Sequence, residues 1–168
     1  MHRHRQQPVV LAEFDHEIGS TRRLLERVPD AQLHWKPHEK SYSLGDLSGH
    51  IANLSTWMNR ILESTEFDLA TAADARPSSP ASTHETLDRL DLNAKSARAT
   101  LAAQTDASLL AAWTLKNGGR EVFTMPRTSV LRSFVFNHLI HHRGQLTVYL
   151  RLQNVPLPSL YGPTADEP

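Results

Sequence analysis

Apolar residues recur at three-, four- and seven-residue steps in four stretches of the chain, which is the periodicity of amphipathic helices that bury one face. Ser43 with Asp46, and Ser82 with Glu85, form capping-box patterns at the start of the second and third stretches. Prolines follow the first and last stretches, where a helix is expected to end. The predicted helices cover residues 8–28, 43–64, 82–105 and 127–153, the last beginning at 127 or 129.

The connections between these helices set the predicted architecture. Residues 67–81 contain two prolines and have no period, which favours a long crossover rather than a domain boundary. Before the last helix, Asn117-Gly118-Gly119 separates two short β-prone stretches and indicates a short hairpin, with an irregular loop as the alternative. We therefore predict an all-α fold, a four-helix bundle with one long crossover, in which residues 1–168 form a single domain.

Charge and cysteine content narrow the functional classes. Eighteen basic side chains balance eighteen acidic ones, so no global field attracts nucleic acid or an anionic membrane. The chain has no cysteine and so supplies neither a thiolate nucleophile nor a thiolate metal ligand. No signal peptide or apolar run of roughly 20 residues is evident. We expect a soluble cytoplasmic protein that binds any metal through histidine or carboxylate.

Two histidines of the last predicted helix, His138 and His142, lie four residues apart. Their side chains are stacked one turn apart and can bind one ion through one nitrogen each. Counting about 100° per residue from Leu131 places both within roughly 20° of the centre of the core-facing stripe. His141 falls roughly 80° from that centre and is the weaker candidate.

The second predicted helix offers a third ligand, His50, which lies roughly 60° from Leu47 and can reach inward at the edge of the bundle. Three neutral imidazoles leave a coordination position open, as catalytic metal sites do. The alternative is that these histidines are satisfied by backbone carbonyls, by polar neighbours or by exposure. Trp57 and Tyr149, together with His141, are candidate pocket residues, although core packing also explains the two aromatic side chains.

Other polar residues are assigned to the surface. Glu17 is predicted on a solvated face, and Arg143 is interpreted as a surface charge, with a role in binding an anionic group as the alternative. Gly144 inside a helix costs about 1 kcal/mol relative to alanine, which indicates a close helix approach there. The remaining histidines are predicted to be exposed: His2, His4, His16, His34, His38 and His84.

Several blocks of sequence together carry a resemblance to a known family. They are Trp35-Lys36-Pro37, Ser43-Leu44-Gly45-Asp46-Leu47 with His50, Asn137-His138, His142-Arg143-Gly144-Gln145-Leu146, and Tyr161-Gly162-Pro163 with Asp166-Glu167. With these blocks the chain resembles the DinB/YfiT-like superfamily over nearly its whole length. The resemblance implies a four-helix bundle with a three-histidine metal site in which His50, His138 and His142 are the ligands. His141 then corresponds to a histidine often found beside the last ligand.

The better understood members of that superfamily are thiol-dependent enzymes, including bacillithiol transferases and a mycothiol-dependent maleylpyruvate isomerase. The resemblance implies a metal-dependent thiol S-transferase or hydrolase. Its nucleophile would be a low-molecular-weight thiol or water activated by a divalent transition metal. Three imidazoles suit zinc, nickel, copper or iron, and we expect zinc or nickel. A small-molecule substrate and a homodimer are expected, and the alternative is a non-catalytic stress-related bundle with a structural or vacant metal site.

Overall fold

Helices make up most of the chain in this computed structural model, which describes residues 6–71 and 78–167. The α-helices are α1 (Gln6–Leu25), α2 (Leu44–Asn53), α3 (Thr56–Glu63), α4 (Thr83–Ala102), α5 (Asp106–Leu110), α6 (Arg127–Leu131) and α7 (His138–Leu152). A π-helical turn (Arg132–Asn137) joins α6 to α7, and short 3₁₀ turns lie at Asp30–Gln32 and Leu69–Thr71. The strands are β1 (Glu66–Asp68), β2 (Ala112–Asn117) and β3 (Arg120–Pro126).

Serine side chains cap the helices α2 and α4, at the two positions where capping boxes were predicted. The Ser43 hydroxyl accepts a hydrogen bond from the Asp46 amide at 3.0 Å, and the Asp46 carboxylate accepts from the Ser43 amide at 3.4 Å, which completes the capping box of α2. At α4 the Ser82 hydroxyl accepts from the Glu85 amide at 3.1 Å. The Glu85 carboxylate instead accepts from the amide of Ala81, one residue before the cap, at 2.8 Å. The first box is therefore confirmed in full and the second in its serine half.

The second predicted helix is interrupted. Between α2 and α3 the Leu54 amide donates to the Ile51 carbonyl, and the Trp57 amide donates to the Leu54 carbonyl, each at 3.2 Å. These three-residue hydrogen bonds belong to a tighter turn than the α-helix. The prediction of one helix to residue 64 was wrong because apolar spacing continues through this turn and hides it.

A small sheet departs from the all-α prediction. Strands β2 and β3 form the predicted antiparallel hairpin, and Gly118 and Gly119 at its turn have φ of 61° and 76°. A two-residue turn of this hand needs positive φ at both positions, which glycine adopts without strain. Strand β1 adds to β2 in parallel, with Phe67 opposite Leu115. The hairpin and the mostly helical fold are confirmed. The third strand, β1, was not predicted, and it overlaps the start of the expected crossover, of which residues 72–77 fall outside the described residues.

The apolar core forms two clusters. One surrounds the buried Trp113, whose indole nitrogen donates to the Ser64 hydroxyl at 3.1 Å. The other is built mainly from leucines of α1, α2, α4 and α7, including Leu47, Leu90 and Leu146. This second cluster holds α2 against α7, the two helices that carry the candidate ligands. No described helix is long and apolar enough to cross a membrane.

Candidate metal centre

Three histidine rings meet where α2 packs beside α7. The Nε2 atoms of His50 and His138 lie 3.3 Å apart, and the His142 ring centroid lies 4.5 Å from that of His50 and 4.7 Å from that of His138. One ring nitrogen of each histidine lies within 4.8 Å of the other two. Two nitrogens bound at about 2.0–2.1 Å to a tetrahedral ion are roughly 3.3 Å apart. The separation of His50 from His138 therefore fits a shared ion.

The cluster lies at the rim of the core rather than in its centre. His138 and His142 are half-buried, and the buried side chains of α7 are Leu139, Arg143, Leu146 and Leu150. The prediction that the two histidines occupy the centre of the core-facing stripe was wrong. Its angular count began at Leu131 and crossed the π-helical turn, which holds more residues per turn than an α-helix and so shifts the phase of the helix that follows.

Hydrogen bonds orient the two imidazoles of α7. His142 Nδ1 lies 2.7 Å from the Gln145 Oε1 atom, which can only accept, so Nδ1 carries the proton and the Nε2 lone pair is available. His138 hydrogen-bonds to the backbone of Phe134, in the π-helical turn. Partners that hold the non-coordinating nitrogen are the usual companions of metal-binding imidazoles.

The electrostatic surroundings favour the neutral form of His138 and of His142. Burial lowers the pKa of His138, and the nearby His141 lowers it further, against an opposing hydrogen bond to Phe134. Burial also lowers the pKa of His142, although its hydrogen bond to Gln145 acts in the other direction. Neutral imidazole is the form that binds metals. Within the described part of the chain, no carboxylate or further histidine joins the cluster of three.

A cleft of about 500 Å³ opens beside His50. The Tyr42 ring forms part of its wall, 5.8 Å from the His50 ring between centroids. Tyr149 supports this wall, because its hydroxyl donates to the Tyr42 carbonyl at 3.2 Å and its ring contacts Trp35. The lining carries both charges and several hydroxyls: Lys36, Glu39, Lys40, Ser41, Tyr42, Asp46, Gly49, His50, Asn53, Ser78 and Ser79.

The other two candidate pocket residues, Trp57 and His141, do not line this cleft. Trp57 packs between Phe67 and Phe134, with centroid separations of 5.5 and 5.9 Å, and the Arg60 guanidinium lies 4.9 Å from its ring. The exposed His141 ring lies 4.9 Å from that of His142, at the edge of the cluster. Direct roles for these two side chains in ligand binding stay predictions.

A polar cluster that sequence reasoning missed adjoins the site, with three buried members, Glu17, Thr21 and Arg143, and one, Tyr161, that is 61% exposed. We call Glu17, Thr21, Arg143 and Tyr161 the anchor cluster. Arg143 donates to the Glu17 carboxylate at 2.5 Å, to the Glu17 carbonyl at 3.0 Å and to the Thr21 hydroxyl at 3.2 Å. The Tyr161 hydroxyl donates to the same carboxylate at 2.7 Å and contacts the guanidinium. The surface assignments of Glu17 and Arg143 were therefore wrong.

The sequence contained one signal for the anchor cluster, since Arg143 and Tyr161 stand in the blocks that carry the family resemblance. Gly144 was also misinterpreted, because it is exposed and a β-carbon there would meet no atom within 4 Å. Of the histidines predicted on the surface, His2 and His4 lie outside the described residues. The other four are exposed, as predicted: His16, His34, His38 and His84.

Comparisons with known proteins agree with the fold. The family model described as "DinB family" matches residues 1–168. A DinB-like protein from Bacillus cereus ATCC 10987 has 25% sequence identity and a TM-score of 0.68, over 90% of this chain and 95% of that one. The DinB-like protein YjoA from Bacillus subtilis has 20% identity and a TM-score of 0.68, over 91% and 98% of the two chains.

The match to a curated protein is shorter. The uncharacterized protein YrdA of Bacillus subtilis (strain 168) is 44% identical over 43 residues, which are 26% of this chain and 25% of YrdA. The chain thus matches about a quarter of that relative's length.

Proposed function

Because the chain belongs to the DinB family, we propose that it is a metal-dependent enzyme in which His50, His138 and His142 bind one divalent transition-metal ion, zinc or nickel. One observation carries the proposal: ring nitrogens from two different helices converge within 4.8 Å of one another. A charge-neutral donor set of three imidazoles, with no carboxylate in the cluster among the described residues, suits such an ion.

The reaction class follows from the donor set and from the cleft. An ion held by three protein ligands keeps a position for a further ligand, and it would lower the pKa of a thiol or water bound there. The chain has no cysteine, so a thiol would enter as a cosubstrate. We propose thiol S-transfer or hydrolysis, with a low-molecular-weight thiol or water as the nucleophile.

The cleft beside His50 is the proposed substrate site. Lys36 and Lys40 offer ammonium groups, whereas Glu39 and Asp46 offer carboxylates, so the lining can hold a polar small molecule by charge and hydrogen bonds. Tyr42 gives a flat aromatic surface next to the histidine. The proposal includes a four-helix bundle for the single domain, a cytoplasmic location and a homodimer, and it includes no nucleic acid or membrane partner.

Metal stoichiometry tests the site. Protein purified without a histidine tag is analysed for metals as wild type, His138→Ala and His141→Ala. The last variant is the matched control, because His141 lies on the same helix beside the cluster and is exposed. We expect about one ion per chain in the wild type and the control, and loss of the ion in His138→Ala. No metal after loading, or equal metal in all three proteins, would refute the site.

Activity assays then separate the proposed enzyme from the non-catalytic alternative. Metal-loaded wild type is mixed with small thiols or water and a panel of electrophiles, with His138→Ala as the control. Turnover that disappears in the variant supports the enzyme. A large rise in melting temperature on metal binding, with no turnover of any electrophile, indicates a structural ion in a stress-related bundle.

A further inference from the structure

A buried arginine follows directly after His142 in α7. We propose that Arg143, through its ion pair with Glu17, is a positioning residue that sets the rotation of α7 about its axis and so keeps His138 and His142 at the cleft. The proposal goes beyond the proposed function and depends on it only for the metal-binding readout described below.

The energetics of the pair call for an explanation other than stability. Arg143 is 1% exposed and Glu17 is 5% exposed. Removing such charges from water costs several kcal/mol per ion, and well-packed apolar side chains of similar volume are often equally stable or better. The best-attested use of buried polar groups is to select one structural register over another.

Such a choice of register exists in α7. If residues 131–142 formed a regular α-helix, His138 and His142 would lie within roughly 20° of the core direction and Arg143 roughly 120° from it. The π-helical turn shifts the phase, and the observed helix buries Arg143 and leaves both histidines at the rim. The regular helix and the observed helix differ in register by about one residue, which corresponds to rotating α7 by roughly 100° about its own axis.

The anchor cluster favours only the observed phase. Arg143 is held from two sides, by Glu17 and Thr21 of α1 and by Tyr161 of the C-terminal segment. In the other phase the guanidinium would leave the core and Glu17 would remain buried without its cation. Truncating one partner of a buried charge pair is strongly destabilising for the same reason. The rotation that satisfies Arg143 is therefore also the one that brings the histidines to His50.

The test removes the anchor without leaving a lone charge. In Glu17→Met/Arg143→Met both partners become apolar residues of similar volume. The matched control, Asp15→Asn/Arg98→Gln, removes an exposed ion pair that also joins α1 to another helix. Both variants are first checked for cooperative unfolding by circular dichroism. Should the first variant not fold, Arg143→Lys, which keeps the charge but loses the planar fork, is carried through the same measurements.

Helix rotation can be measured without metal. The chain has no cysteine, so nitroxide labels can be attached at Leu92→Cys and Val148→Cys, which are 70% and 58% exposed in the native protein. We expect one narrow distance distribution in the labelled parent and in the control. In the variant without the anchor, the distribution should broaden or gain a second peak.

Cobalt(II) binding gives the second readout. The affinity should fall by about tenfold or more in the variant without the anchor, with an altered visible absorption spectrum, and stay unchanged in the control. The proposal would be overturned if the variant without the anchor had the same label distances and the same cobalt affinity as the parent. Failure of the parent to bind cobalt would count against the proposed metal site, and the label distances would still decide the role of Arg143.

Discussion

Two helical glycines near the histidines have opposite surroundings. A β-carbon added to Gly49, the residue before His50, would lie 2.8 Å from the Cδ atom of Pro80, closer than real contacts of this kind. Pro80 is buried and its ring cannot swing away as a long side chain could. A β-carbon added to Gly144 would meet no atom within 4 Å. Alanine should therefore be less well tolerated at position 49 than at position 144.

The magnitude follows from two effects. Each substitution gains up to about 1 kcal/mol of helix propensity, because alanine is the better helix former. Gly49→Ala also incurs an overpacking cost of about 1–3 kcal/mol. The gain in helix propensity is the same for both variants, so their free energies of unfolding should differ by the overpacking cost of about 1–3 kcal/mol. For a chain of this size, that corresponds to roughly 2–12 °C in melting temperature.

Thermal and urea unfolding of Gly49→Ala, Gly144→Ala and the wild type measure this difference. We expect Gly144→Ala to melt above the wild type and Gly49→Ala to melt below Gly144→Ala. Cobalt binding should weaken only in Gly49→Ala, because the strain displaces the helix turn that carries His50. A melting temperature of Gly49→Ala equal to or above that of Gly144→Ala would refute the reasoning.

Three further predictions concern the anchor cluster and the start of α2. Tyr161 is 61% exposed, but partial desolvation of its hydroxyl and the hydrogen bond to Glu17 raise its pKa from 10.0 to about 12. The stability that this group contributes is therefore present below pH 10 and is lost as the pH rises through 12. Between pH 9 and 12, the free energy of unfolding of Tyr161→Phe should fall less than that of the wild type. An equal fall in the two proteins would contradict this. Arg143→Met alone leaves Glu17 buried without its cation and should lower the free energy of unfolding by about 3–5 kcal/mol in urea titrations; a loss below about 1 kcal/mol would contradict the buried pair. Ser43→Ala removes the cap of α2 and should lower the free energy of unfolding by about 1 kcal/mol in the same titrations. Ser41→Ala, which removes a nearby serine and leaves the cap in place, is the control.

Local features of the fold could be predicted from sequence because neighbouring residues determine them. Ser43 and Asp46 cap a helix through atoms three residues apart, and Gly118-Gly119 supplies both positive φ angles of a hairpin turn. The convergence of His50 with the histidines of α7 was also anticipated, from their helical spacing and from the family resemblance. The cap, the turn and the stacking of His138 beside His142 depend on geometry that one helix or one turn defines, whereas the approach of His50 joins two helices and was implied by the family resemblance.

The errors arose where distant residues or an irregular turn decide the structure. The π-helical turn cannot be recognised from apolar spacing, and it moved His138 and His142 from the centre of the core to its rim. The pairing of Arg143 with Glu17 joins residues 126 positions apart, so no local pattern contains it. Strand β1 has three residues, too few to show alternation, and it forms only by pairing with β2.

The anchor cluster also bears on the order in which the protein folds. Its contacts join α1 to residues 126 and 144 positions further along the chain. Closing loops of that length costs more chain entropy than forming local helices, so we expect these contacts to form late, after the rate-limiting barrier. Substitutions in the cluster should then accelerate unfolding while leaving the folding rate nearly unchanged. On the ribosome, α1 must wait until Arg143 has been synthesised before the charge of Glu17 is neutralised.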